Sequence, residues 1–103
     1  MASSKEYLEF VLEQLSDLND ISYRAMMGEY VIYYQGKVIG GIYDDRFLVK
    51  PTDSARHLLP NAIFELPYQG ANEMILADVD NKDLLKRLIP AIADDLPMTK
   101  KKR

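Results

Sequence analysis

A chain of 103 residues with 48% apolar and 28% charged side chains is one globular domain, long enough to bury a core without staples. It holds no cysteine, which excludes a disulfide framework, a thiolate nucleophile and a Cys-based zinc site. The formal charge of −3 hides an asymmetry: Lys100, Lys101, Lys102 and Arg103 leave nine basic against 16 acidic side chains in residues 1–99, a body that repels phosphate.

Ser3 with Glu6 three residues on forms a capping-box pattern. Leu8, Val11, Leu12, Leu15 and Leu18 then recur at helical spacing, predicting an amphipathic helix that ends near Asn19 and Asp20. Four strands follow, at residues 21–27, 29–34, 37–43 and 46–50, with breaks at Gly28, Gln35-Gly36 and Asp44-Asp45. Connections this short allow only antiparallel neighbours. Pro51 ends the fourth strand, and Thr52-Asp53-Ser54 caps a short helix that stops at Leu59, before Pro60.

Residues 61–70 read as irregular, with a β-turn at Pro67-Tyr68-Gln69-Gly70. Residues 73–78 read as a fifth strand. Asp80 caps a second long helix carrying Leu84, Leu85, Leu88, Ile89 and Ile92 on one face. Pro90 removes a backbone donor inside that helix, which predicts a kink or break and a further short helix through Leu96. The expected fold is therefore α+β over residues 1–96, with residues 97–103 as a disordered basic tail. Its mainly antiparallel five-stranded sheet is a four-strand meander plus one later strand, with N- and C-terminal helices packed on it. No apolar run nears the roughly 20 residues of a membrane span, and the opening Met-Ala-Ser-Ser-Lys lacks a signal-peptide core. No membrane contact and a cytoplasmic address are expected.

The strand patterning bears on function. Tyr30, Ile32 and Tyr34 alternate with Val31 and Tyr33, and Val38 and Ile42 alternate with Ile39 and Tyr43, so both sheet faces are apolar. Two long helices cover one face. The other needs the short helix, the segment at 61–70, or a partner. A two-fold homodimer through Tyr33 and Tyr43, with Met26 and Met27 at its margin, is the simplest closure.

Groups that carry chemistry are sparse. His57, the single histidine, has no serine or carboxylate motif beside it, and a surface or packing role is the simpler reading. Asp44-Asp45 and Asp94-Asp95 have no metal-ligand spacing and fit a turn and a helix end. No metal and no cofactor are expected. Gly40-Gly41 in mid-strand marks either a cleft floor for a ligand or space for a bulky neighbour such as Tyr33 or a helix side chain. Arg24, in a strand expected to be covered, calls for a carboxylate such as Glu29 or for a bound anion.

Met26, Met27, Tyr30, Tyr33, Tyr34 and Tyr43 form an aromatic and methionine cluster. Base stacking on it would require interleaved cations, and only Arg24 and Lys37 are near, so packing or a protein interface is preferred. The tail Lys100–Arg103 could contact about four phosphates, giving weak, salt-sensitive nucleic-acid binding at most. A small-molecule site near Arg24, Gly40 and Gly41 is the remaining alternative.

Arg24-x-Met26-Met27-Gly28, followed by Ile32-Tyr33, Gly36, Ile39-Gly40, Asp44-Asp45 and Leu48-x-Lys50, resembles the N-terminal domain of the TfoX (Sxy) family of competence regulators. The chain departs from the family's glycine-rich run at Met27, Glu29 and Val31. The resemblance extends over nearly the whole folded chain. It implies a part in regulating DNA-uptake genes alongside other transcription factors, with a protein partner and no catalytic residues to carry over. The reading is thus a non-enzymatic protein–protein interaction module.

Overall fold

The computed structural model describes residues 3–97, and the basic tail lies outside the described residues. The chain runs α1 (Lys5–Gln14), β1 (Ile21–Met26), β2 (Glu29–Tyr34), β3 (Lys37–Ile42), β4 (Phe47–Val49), α2 (Asp53–Leu58), β5 (Phe64–Glu65), β6 (Met74–Leu76) and α3 (Lys82–Asp95). The strands form one antiparallel sheet in the order β1-β2-β3-β4-β6-β5. The α+β meander is as the sequence predicts. A sixth, two-residue strand, Phe64–Glu65, appears inside the segment read as irregular and pairs with Met74 and Ile75. Among the described residues no helix is long and apolar enough to cross a membrane.

The meander is built on three two-residue turns whose central residues all have positive φ: Met27 and Gly28 (53° and 87°), Gln35 and Gly36 (52° and 81°), Asp44 and Asp45 (55° and 57°). Such mirror-image turns match the right-handed twist of the strands they join. The third is closed by reciprocal backbone bonds between Tyr43 and Arg46, at 2.9 and 3.0 Å.

One irregularity redirects a strand. Ile32 pairs with Gly40 but Tyr33 pairs with Val38, so Ile39 is the extra residue of a bulge. Simple alternation would place Ile39 opposite Ile42. The bulge brings both onto the same face, where they are fully buried in one core with Ile32, Phe47, Val49 and Ile75.

Leu8 and Val11 of α1 and Leu15 at its C-cap, Ala55 of α2, and Leu85, Leu88, Ile89 and Ile92 of α3 close that core. All three helices therefore lie on one side of the sheet. The short helix, which the patterning left free to cover the other side, packs instead against α3.

The helix starts are one residue later than the sequence suggests: Ser4 Oγ accepts from Tyr7 N at 3.1 Å and Asn81 Oδ1 from Leu84 N at 3.1 Å. Thr52 caps α2 as expected. Of the kink or break expected at Pro90, the break and the separate short helix do not occur: α3 runs unbroken to Asp95. Burial of Ile89 and Ile92 on either side of the proline offsets the backbone bond it removes.

Candidate functional site

The outer face of the sheet, away from the helices, carries Ser22, Arg24 and Met26 from β1, Glu29, Val31 and Tyr33 from β2, Gly41 from β3 and Leu48 from β4, as their registered pairing requires. It is not bare. The loop after β5 folds over it, burying Pro67 and setting the Tyr68 ring 6.1 Å from that of Tyr43 at 55°. Leu48 is fully buried, yet it stands outside the helix-side core.

Between this loop and the β1–β2 hairpin lies an open groove of about 490 Å³ lined by Met26, Met27, Glu29, Val31, Tyr43 and Tyr68. Its rim is apolar and solvent-facing: Met27 is 98% exposed, Met26 48% and Tyr68 63%. Burial, the nearby Tyr68 and the Glu29 carboxylate, in that order, raise the Tyr43 phenol above its ordinary value. Tyr43 stays neutral at physiological pH.

Glu29, at the floor, anchors the groove to the chain's start. Its Oε1 accepts from Ser3 Oγ at 2.7 Å and from Asp44 N at 3.1 Å. Ser3 Oγ in turn accepts from Asp45 N at 3.1 Å, and Asp45 Oδ1 accepts from Ser4 N at 2.8 Å. Ser3 N completes the clasp by donating to Gly28 O at 3.0 Å. Two hairpin turns and the beginning of α1 are thereby tied into one unit.

The clasp accounts for Asp44-Asp45 as turn and capping residues. At the other acidic pair, Asp95 Oδ2 accepts from Ser54 N at 2.7 Å at the start of α2. Bonds from the Ser54 backbone and hydroxyl, and from Thr52, hold its carboxyl below the usual value. Among the described residues no cluster of three or more His, Asp or Glu is arranged to hold a metal.

Asp53, Ser54 and His57 line one shallow depression on α2. No hydrogen bond joins them, because Ser54 is committed to Asp95.

Gly40 and Gly41 are both buried, for different reasons. A Cβ on Gly40 would lie 2.2 Å from Leu48 O, so the glycine admits the backbone of β4. A Cβ on Gly41 would lie 2.7 Å both from Tyr30 O and from the Tyr43 ring, so this glycine admits the backbone of β2 and the ring together. The bulky neighbour anticipated from sequence is therefore Tyr43 rather than Tyr33 or a helix side chain. Arg24 and Gly41 share one cross-strand row with Val31 between them, whereas Gly40 turns to the opposite face.

Arg24 itself departs from expectation. It is exposed on the edge strand, and Glu29, its anticipated partner, is bonded to Ser3 and Asp44 instead. The ion pair between described residues is Arg46–Glu65 at 2.6 Å. Lys37, the other cation near the cluster, donates to Ala93 O at 2.9 Å and Leu96 O at 3.4 Å, where it caps the C-terminus of α3.

Met26, Met27 and Tyr43 thus share one groove, while Tyr33, half-buried, lies farther along the same face. Tyr68 and Glu29 were not foreseen as site residues. The signal for Tyr68 was an aromatic beside a proline in a turn; Glu29 has no local signal, because its partners are 26 and 15 residues away.

A family model described as the TfoX N-terminal domain matches residues 13–89. The chain is also 33% identical over 105 residues to an uncharacterized 12.7 kDa protein in the trpE 5′ region of Spirochaeta aurantia, covering 100% of this chain and 91% of that relative. No solved structure matches.

Proposed function

The chain belongs to the TfoX N-terminal domain family, and from that membership we propose that it is a non-enzymatic regulatory module that binds a protein partner through the outer face of its sheet. The observation that carries this reading is the apolar groove with its solvent-facing rim of Met27, Met26 and Tyr68. Flexible, polarizable Met side chains beside rigid aromatics suit a surface that adapts to another protein. The carboxylates of Glu29 and Asp45 beside the hairpin turns, and of Asp95 against the start of α2, are engaged in holding the fold. The partner in this reading is a transcription factor of the DNA-uptake system, and the setting is cytoplasmic. Nucleic acid contributes weakly at most, through Lys100–Arg103.

The test pairs capture with folding controls. The tagged full chain should retain a defined protein from its own host's extract, and Met26→Asp or Tyr68→Ala should abolish retention while circular dichroism stays unchanged. Retention unaffected by both substitutions would remove the groove from the function. Turnover of any small-molecule substrate lost in His57→Ala would overturn the non-enzymatic reading.

A further inference from the structure

We infer that β1 is a self-pairing edge, through which two copies of this chain join their sheets antiparallel across a two-fold axis centred on Tyr23. The residues that would pair, Ile21, Tyr23 and Ala25, line no part of the groove, though Met26 at the end of the same strand does, and the inference does not depend on the function proposed above.

Strand β1 lies at one end of the sheet, paired only with β2. Met26 and Glu29 flank a two-residue turn, the position at which an antiparallel pair exchanges both backbone bonds. The bond from Gln35 N to Asp20 O, 3.0 Å long, continues the same alternation at the strand's far end. Ser22, Arg24 and Met26 therefore spend their N–H and C=O groups on β2. Ile21, Tyr23 and Ala25 direct theirs outward.

Edges of this kind are usually blunted by shortness, proline, a bulge or lysines. The opposite edge of this sheet follows that rule, since β5 has only two residues. Strand β1 has six residues, no proline and no bulge, and five of the six are exposed. Its single charge, Arg24, has no hydrogen-bond or ion-pair partner among the described residues.

Residues opposite one another in an antiparallel pair share a face, so odd-numbered residues must meet odd-numbered ones. Placing Tyr23 against Tyr23 sets Ile21 against Ala25 twice, and all three outward residues of each copy are paired, with roughly six new backbone bonds. The same register puts Arg24 opposite Ser22, with Asp20 of the second copy on one diagonal and Arg24 of the second copy on the other, so the carboxylate offsets a like charge that is diagonal rather than directly opposed. A shift by one step in one direction puts Arg24 against Arg24. In the other direction Ala25 loses its partner within the strand. Tyr23, 47% exposed and edge-on to Tyr30 at 5.9 Å, gains a symmetric aromatic contact.

Light scattering after size exclusion on the full chain should give twice 11.8 kDa at micromolar concentration. Ala25→Pro removes an outward donor without touching the β2 ladder, and should raise the dissociation constant at least about tenfold with unchanged circular dichroism. The chain has no native cysteine, so Tyr23→Cys gives a single reactive site. A short bis-maleimide should crosslink it to a dimer, whereas Asn72→Cys, in the exposed loop before β6, should stay monomeric. A strict monomer up to high micromolar concentration would overturn the inference. So would a dimer that survives Ala25→Pro, fails to crosslink through Tyr23→Cys, or dissociates on Tyr43→Asp instead.

Discussion

The two halves of the sheet are made by the same turn chemistry yet live in different surroundings. Strands β3 and β4 are buried along nearly their whole length, while β1 is exposed at five of six positions. The turn at Met27-Gly28 is of the same kind as the turn at Asp44-Asp45. What separates the halves is cover: α3 reaches β3, β6 lies beside β4, and the Tyr68 loop overlies the outer face at Tyr43. The comparison teaches that strand pairing alone stabilises little here, and that the second layer decides which half is rigid.

Substitution at the buried half should have the largest effect. Gly40→Ala would drive a Cβ into Leu48 O and Val49 Cα, backbone atoms that cannot swing aside. A loss of about 3 kcal/mol or more is expected in urea unfolding. Ser22→Ala on the exposed half should stay within about 0.5 kcal/mol. Comparable losses at both sites would break the distinction.

The clasp joins the halves, so cutting it should cost an intermediate amount. Glu29→Ala removes the acceptor of the Asp44 amide and leaves the buried Ser3 hydroxyl only the long contact to Ile42 O at 3.5 Å, which predicts a loss of about 1–2 kcal/mol. Faster hydrogen exchange in the first turn of α1 would locate the loss. Exchange accelerated only in β1 and β2 would show that the clasp supports the ribbon alone.

A third substitution should move the exposed half in the opposite direction. Met27 holds a left-handed backbone with φ of 53°, which Asn accepts more readily than Met, and Asn-Gly suits this turn best. Met27→Asn should raise stability by about 0.5–1 kcal/mol, read from the thermal midpoint, even as it strips the groove of its most exposed side chain. Stability and partner capture would then part company at one residue. A fall in stability would show that Met27 packs in a way its exposure does not reveal.

The smallest effect is electrostatic. Asp95 is held below its ordinary value of 3.8 by hydrogen bonds from the Ser54 backbone and hydroxyl. A depressed folded-state pKa contributes stability that is present above pH about 4 and lost as pH falls through the folded value. A carboxyl titration followed by NMR should therefore place Asp95 below 3.8, and Ser54→Ala should move it back part of the way. A titration at or above 3.8 would remove the link between α3 and α2.

Local pattern made the meander legible. Gly28, Gln35-Gly36 and Asp44-Asp45 mark the turns, and Thr52 and the leucine spacings mark the helices, because each signal is read within a few neighbouring residues. What escaped depends on distant contacts. The bulge at Ile39 is set by how β2 and β3 register, and Glu29 is claimed by Ser3 rather than by Arg24. Phe64–Glu65 becomes a strand only because Met74 and Ile75 come back beside it. At the site, the methionines and Tyr43 were visible as an apolar cluster. The loop that brings Tyr68 over them was an open option in the sequence, alongside a helix and a partner.

The bulge and the three tight turns also bear on the order in which the chain folds. Contacts among β1, β2, β3 and β4 link residues close in sequence, and such hairpins close in about 1–10 μs. Strand β6 must instead return across α2 and β5 to reach Leu48 and Val49, a longer search with a greater closure cost. The meander is thus the natural template, and the docking of β6 is the step that completes the sheet. Before it docks, Leu48 and Val49 present an open edge, which makes crowding or high concentration most hazardous to this protein during synthesis rather than after it.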